Sequence, residues 1–390
     1  MLLAAAILFV LAFLLSLAGT ALARRIATRL GLIDAPGHRK VHTTPTPRNG
    51  GIGIFWGFAL PLLFATAGVF ILSSLAAHGE PHRYAESGNA HLHDTYLIIL
   101  GTHVPVDILL HLPGMRAHAP LLLLFLAATF DMHLLGLVDD RKPLAPWPKL
   151  IAQLAIAAAL VLLGELFGPG SFRILTSAGF FPSTLLSILW ILALTNAFNF
   201  LDNMDGLSAG VAFICAAMFL IAAAINGQWF IAALLLTFMG SVLGFLCFNF
   251  PPATIFMGDG GSMVLGFILA ALTIRTTYYE PGRQPYAVLM PLFVTAVPLY
   301  DLLIVCILRM LKGRSPMTGD TNHFSHRLTR HGFSTRATLL IIYGITLSTG
   351  IAAPLLALHS DATTAGLIAL QLIGMLTVIA ILERVGEHTR

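Results

Sequence analysis

The sequence predicts an all-α integral membrane protein, a polytopic bundle of about eleven transmembrane helices. Three observations predict it. The 390 residues are 57% hydrophobic and only 10% charged, against about 25% charged in a soluble domain. Mean hydropathy is +0.85. Stretches such as "LLAAAILFVLAFLLSLAGTALA" and "LIALQLIGMLTVIAIL" approach or exceed the roughly 20 residues that carry a helix across a hydrocarbon core. A soluble reading would need polar faces on two or more domains, and the chain reads as one membrane-embedded unit over 1–390.

Spans are expected at roughly 1–23, 52–76, 119–138, 150–166, 183–200, 206–225, 228–248, 262–278, 286–309, 337–357 and 364–382. No basic residue precedes the first apolar run, and Arg24 and Arg25 follow it. That order resembles a retained span more than a secretory leader. Cys215, Cys247 and Cys306 fall inside apolar runs, where they read as small core residues and imply no disulfide framework.

Charge then orients the spans. Of the 22 Lys and Arg, all but Arg83, Arg116, Arg173, Arg275 and Arg283 fall in alternate connections and the C-terminal tail. Positive loops stay cytoplasmic, so the N-terminus is expected outside and the C-terminus inside. The pI near 9.1 is therefore a one-sided basic surface suited to lipid and nucleotide phosphates.

"VDDRKPLAPWPK", "NAFNFLDNMDG", "FNFPPATIFMGDGGS" and "GRSPMTGDTNHFSHRL" come from four separate connections, all on the cytoplasmic face in this topology. Ordinary polar loops explain the Lys and Arg but do not require the carboxylates. Asp139, Asp140, Asp202, Asp205 and Asp259 supply hard oxygens and Asn199 a neutral one, a set suited to Mg²⁺ or Mn²⁺ and not to zinc. Asp259 is followed by two glycines and Ser262 at the mouth of a span. Backbone N–H groups there would face the cytosol, where an anion can sit against the helix N-terminus. Asn196 and Asn199 are neighbours on one helical face, whereas a continuous helix would carry Asp205 to the other side. A break near Asp202, which Asn-Met-Asp-Gly permits, would turn the later carboxylates back. Solvation of a helix end is the plainer alternative.

These pieces resemble the polyprenyl-phosphate N-acetylhexosamine-1-phosphate transferases, an integral-membrane family that starts many cell-wall and surface glycans. "DAPGHRKVHTTPTPRNGG" resembles the family's first cytoplasmic loop, and "GLVDD" followed by Lys149 its paired-Asp motif. "NAFNFLDNMDGL" and "FMGDGGS" resemble its third and fourth motifs. "VPLYDLLIVCILRMLKGRSP" resembles the span entering its last large loop. The resemblance implies that a UDP-N-acetylhexosamine gives its sugar-1-phosphate to a polyprenyl (undecaprenyl-type) phosphate, releasing UMP. It implies that Asn199 and Asp259 hold Mg²⁺ on the diphosphate. Asp139 and Asp140 would face the lipid phosphate, with Lys149 as a cationic contact. His323 and His326 carry over as catalytic, and Asn196, Asp202, Asp205, Asp301 and Arg327 as substrate contacts. Asp139 is left open between positioning the acceptor, binding a second ion and acting as nucleophile. A phosphate monoester with a second pKa near 6 needs little deprotonation, so direct attack by the acceptor requires least. The implied partners are the two substrates and the bilayer of the inner (cytoplasmic) membrane, with a homodimer as an open assembly. Nucleic acid is excluded, because no basic domain stands clear of the membrane.

The late loop departs from the family pattern. A His-x-His-His arrangement is common there, and here "HFSHRL" has His323, Ser325 and His326. By resemblance, Ser325→His is expected to be tolerated. The muramyl-pentapeptide branch usually carries a triple-His block, so its absence points to UDP-GlcNAc or a related sugar. Asp320, Arg327 and Arg330 share this loop, where a solvated charged surface is the plainer reading. Asp131 and Asp301 each lie eight residues inside a cytoplasmic helix end, about 12 Å along the axis. Carboxylates at such depth are costly and functional by default. Asp301 matches a family-like position, whereas Asp131 is expected to bond His133 or a neighbouring helix.

Residues 77–118 form an outer insertion with His78, His82, His91, His93, His103, His111 and His118. Its apolar stretches alternate with turn residues, predicting a hairpin, and its spacing fits no metal-ligand pattern. The competing function is a membrane transporter of a phosphorylated or nucleotide-linked solute. That would predict repeats and ionisable groups at mid-membrane, whereas most acids here sit at one surface. No Walker-type loop is present.

Overall fold

The computed structural model describes residues 2–30, 33–34, 45–78, 96–99, 102–168, 170–276, 285–316, 323–359 and 361–385. Every expected span has its helix: α1 (Leu2–Leu30), α2 (Gly51–His78), α3 (Val106–Arg141), α4 (Pro146–Gly164), α5 (Phe180–Leu201), α6 (Leu207–Ile225), α7 (Trp229–Asn249) and α8 (Asp259–Arg275). The bundle continues with α9 (Met290–Val294), α10 (Ala296–Leu311), α11 (Phe324–Arg330), α12 (Thr335–Gly350), α13 (Leu355–Leu358) and α14 (Ala362–Val385). In a bilayer each backbone group must be satisfied inside its own segment, so apolar runs rich in Leu and Ala fold as helices.

Among the described residues nine helices are long and apolar enough to cross a membrane. The run ending in α9 makes a tenth with α10, bent by 68° at Thr295. The eleventh expected span is α8, only 17 residues or about 26 Å long. Residues 260–273 of α8 are all buried, as expected of a helix apolar on every side. Helices α2, α3, α5, α6 and α7 pack around it, so α8 is the buried centre of the fold.

The 77–118 segment differs from its expected extent. The hairpin forms as β3 (Tyr96–Ile99) antiparallel to β4 (Thr102–Pro105), after the short pair β1 (Ile33–Asp34) and β2 (Thr46–Pro47). Helix α3, however, begins at Val106, well before residue 119, and runs through Pro113, Gly114 and Pro120. A proline–glycine pair reads as a turn in water, but a membrane helix tolerates it when its neighbours satisfy the freed groups. His118 stacks on Phe230 at 5.7 Å, so it is a packing residue. His82, His91 and His93 lie outside the described residues.

Lipid offers no hydrophobic drive for helix association, so packing and polar bonds hold the bundle. Trp190 Nε1 donates to Thr273 Oγ1 at 2.9 Å, joining α5 to α8. Ser241 Oγ donates to the Ile54 carbonyl at 2.5 Å, joining α7 to α2. Such bonds average about 0.6 kcal/mol each. Their larger effect is to fix rotation and register, which decides what the helix ends present.

Candidate active site

One end of the bundle gathers the C-terminal ends of α3, α5 and α7 with the N-terminal ends of α4, α6, α8 and α12. At its centre stands Lys149, in the first turn of α4. Its Nζ donates to Asp139 Oδ2 at 2.8 Å and to Asn199 Oδ1 at 3.4 Å. It also donates to Asp259 Oδ2. Three helices therefore converge on one cation. Asn199 Nδ2 in turn donates to Asp259 Oδ1 at 3.0 Å and Ser262 Oγ at 2.9 Å. The remaining Asp139 oxygen accepts the Leu144 N–H at 2.6 Å, closing the turn between α3 and α4.

Asp140 does something different from its neighbour. Its Oδ1 accepts the Asp259 N–H at 2.9 Å and its Oδ2 the Gly260 N–H at 3.0 Å. The amides expected to receive a substrate anion therefore hold a carboxylate from α3, which satisfies two orphan donors and opposes the positive end of the helix. In this structure Asp140 therefore caps α8. Gly258 is required beside it. Its φ is 75°, and a Cβ there would stand 2.6 Å from Asp140 Oδ2.

His133, six residues earlier on α3, stacks on Phe55 with ring centroids 4.7 Å apart. Its Nδ1 meets the Gly260 carbonyl at 2.7 Å, so that nitrogen carries the proton. The expected Asp131–His133 bond is corrected: His133 is committed to α8, and Asp131 is exposed on the outer face of α3.

The break after α5 falls at Asp202, its C-cap with φ −79° and ψ 50°. Gly206, at φ 73°, starts α6. Burial, then the charges of Asp259, Asp140 and Asp205, push the Asp202 carboxyl well above its usual 3.8. Asp202 thus stands within electrostatic reach of the central cluster. Asp205 Oδ2 accepts the Ala253 N–H at 2.9 Å, which ties its turn to the loop before α8. Asn196 lies one turn deeper, donating to Gln153 Oε1 at 2.8 Å.

The late loop docks on the same end. Asp301 is 1% exposed. Its Oδ2 meets His323 Nδ1 at 2.8 Å and its Oδ1 accepts the Phe324 N–H at 2.8 Å. Both oxygens are thus engaged by the late loop, and the carboxylate orients His323. The rings of His323 and His326 lie 6.2 Å apart, and Phe200 meets His323 edge-on at 5.8 Å. The Arg309 guanidinium stands over the Phe200 ring, 5.0 Å from its centroid. Arg327 is half-buried on α11, and Asp320 lies outside the described residues. Ser325 is 2% exposed and donates to Asn203 Oδ1. An imidazole there would have to displace the packed neighbours and the Asn203 bond, which weighs against tolerance of Ser325→His.

Gln153, Asn203, Asn249 and Arg309 were not singled out from the sequence. Gln153 carried a usable signal, a lone amide inside an apolar span one turn from Lys149. Among the described residues no group of three His, Cys, Asp or Glu side chains could hold a metal. The site offers instead two carboxylates and an amide oxygen around an ammonium, the oxygen set that suits Mg²⁺ when substrate phosphates complete its shell.

Fold and site define a polytopic membrane protein whose acids, amides and Lys149 gather at helix ends around the buried α8. The family model described as "Glycosyl transferase family 4" matches residues 122–277, from α3 through α8. The chain is 32% identical over 395 aligned positions to a decaprenyl-phosphate N-acetylglucosaminephosphotransferase of Mycobacterium tuberculosis, covering 94% of this chain and 86% of that one. It is equally similar to its Mycobacterium leprae counterpart, 32% over 395 positions, with 94% and 87% covered. An undecaprenyl-phosphate α-N-acetylglucosaminyl 1-phosphate transferase of Salmonella typhi is 27% identical over 333 positions, with 82% and 75% covered. The chain belongs to this glycosyl transferase family 4 of membrane sugar-phosphate transferases.

Proposed function

We propose that the chain transfers N-acetylglucosamine-1-phosphate from UDP-N-acetylglucosamine to an undecaprenyl-type phosphate, releasing UMP and leaving a lipid-diphosphate sugar. The observation that carries the reading is the convergence of Asp139, Asn199 and Asp259, from three separate helix ends, on Lys149 at a fourth. The reaction brings together a diphosphate and a monophosphate. It therefore needs cations at one point, held by oxygens that do not leave.

Asp259 and Asn199 are the residues that would hold Mg²⁺, and they keep the family assignment. Bound there, the ion neutralises charge on the diphosphate as its P–O–P bond breaks. Lys149 is the chain's own cation for the acceptor phosphate, because it already shares Asp139 with the turn that closes α3 onto α4. Asp139 positions that acceptor, whose attacking oxygen is ionised near neutral pH. Asp140 keeps α8, and so Asp259, in place. Asp202 faces the donor from the α5–α6 turn, and His326 and Arg327 meet it from the late loop, where Asp301 fixes His323. The basic connections on this end of the bundle support a site on the cytoplasmic face of the inner membrane.

UMP release by the detergent-solubilised protein tests the reading. It should require UDP-N-acetylglucosamine, Mg²⁺ and undecaprenyl phosphate together. Release without the lipid phosphate, or none with all three, overturns it.

A further inference from the structure

Asn249, the last residue of α7, is 3% exposed. Its Oδ1 accepts the Gly206 N–H at 2.9 Å, and its Nδ2 donates to the Ile255 carbonyl at 2.9 Å. Gly206 closes the turn that carries Asp202 and Asp205. Ile255 belongs to the loop that delivers Asp259. One short side chain therefore bonds both irregular segments that bring acids to the site.

We infer that Asn249 is a positioning residue for the reaction, an amide strap that sets the Asp202 turn against the Asp259 loop. This rests on the proposed function, within which those segments serve the nucleotide-sugar and its metal. An amide offers an acceptor and a donor on two separate atoms of one short stem, so it can bond two different segments at once. Both partners are backbone groups outside regular helix, so removing Asn249 leaves a buried N–H and a buried C=O unpaired. The segments have other supports. Asp205 bonds the Ala253 N–H, Arg336 forks onto the Pro251 carbonyl at 3.2 and 3.1 Å, and Tyr343 donates to the Gly206 carbonyl at 2.5 Å. Loss of the strap should therefore loosen the spacing without unfolding the bundle. Asp139 and Lys149, on α3 and α4, make no bond to it.

The test compares Asn249→Ala with wild type in KM for UDP-N-acetylglucosamine, KM for undecaprenyl phosphate, and the Mg²⁺ concentration for half-maximal rate. The first and third should rise about tenfold, turnover should fall by up to about a hundredfold, and the lipid KM should stay unchanged. Hydrogen exchange read by mass spectrometry should quicken in 202–207 and 253–259 while α1 and α14 keep their wild-type rates. Unchanged exchange, faster exchange with wild-type kinetics, or equal rises in both KM values would overturn the inference. If Asn249→Ala does not fold, Asn249→Asp decides. It keeps the acceptor for Gly206 but cannot donate to Ile255, so faster exchange should centre on 253–259 with a raised Mg²⁺ requirement, and wild-type behaviour in both would sink the strap. If the wild type releases no UMP, the proposed function fails on its own. The strap is then judged by exchange with Mg²⁺ alone, which should slow both segments in wild type and not in Asn249→Ala.

Discussion

Lys149→Met gives the sharpest test of the central cluster. Methionine keeps the length and apolar stem of the side chain but removes the ammonium that joins Asp139, Asn199 and Asp259. The side chains involved are 17%, 11% and 30% exposed for Lys149, Asp139 and Asp259. Removing one partner of a fully buried ion pair costs about 3–5 kcal/mol, whereas an exposed pair contributes about 0–1. At this partial burial the loss should be roughly 2–3 kcal/mol, since two carboxylates are left facing each other with Asp140 and Asp202 nearby. The assay is thermal unfolding in detergent across a Mg²⁺ titration, with UMP release in parallel. Without Mg²⁺ the variant should unfold well below wild type. Added Mg²⁺ should restore part of the difference, because a divalent cation can occupy the oxygens that the ammonium left, while turnover stays low for want of a cation at the acceptor. If Lys149→Met unfolds with wild type in Mg²⁺-free buffer, the ammonium does not hold these helix ends together. If Mg²⁺ stabilises it no more than wild type, the oxygens do not form a cation site.

Asp140→Ala should lose the cap on α8, about 0.5–2 kcal/mol, and raise the Mg²⁺ requirement. Asp140→Asn, which retains one acceptor, should lie between the alanine variant and wild type in the same titration; an alanine variant with wild-type Mg²⁺ response would refute the capping role. Ser325→His should lower both stability and turnover because Ser325 is buried against Asn203, whereas Ser325→Ala should cost less; unfolding midpoints and UMP release check both. Asp202 holds its proton more tightly in the native state than in the unfolded chain, since its folded pKa is raised. Its contribution is thus unimpaired at low pH and is lost as pH climbs above about 4. Asp202→Asn should accordingly flatten the fall in unfolding midpoint as pH rises above about 4 in Mg²⁺-free detergent, and an unchanged slope would count against the raised pKa.

Composition and periodicity were enough for the membrane bundle and the approximate place of each span, because lipid leaves the backbone no alternative to helix wherever an apolar run is long enough. The motif residues were legible for a related reason. Carboxylates and amides are so costly in this setting that Asp139, Asn199 and Asp259 stood out, and Asp202 marked the break after α5. What each side chain does was decided by tertiary structure. Asp139 and Asp140 are adjacent in sequence and chemically identical, yet one meets Lys149 and the other caps α8, because successive residues on a helix point about 100° apart toward different neighbours. Asp301 reads like a substrate contact until His323 and the Phe324 N–H occupy both its oxygens. Asn249 and Gln153 look like helix-end and mid-span amides, yet the partners of Gln153 lie on two other helices and those of Asn249 in two separate turns. Hydrogen bonds depend on direction and on what stands opposite, and neither is written in the spacing of one strand of text; only the packing around α8 supplies both.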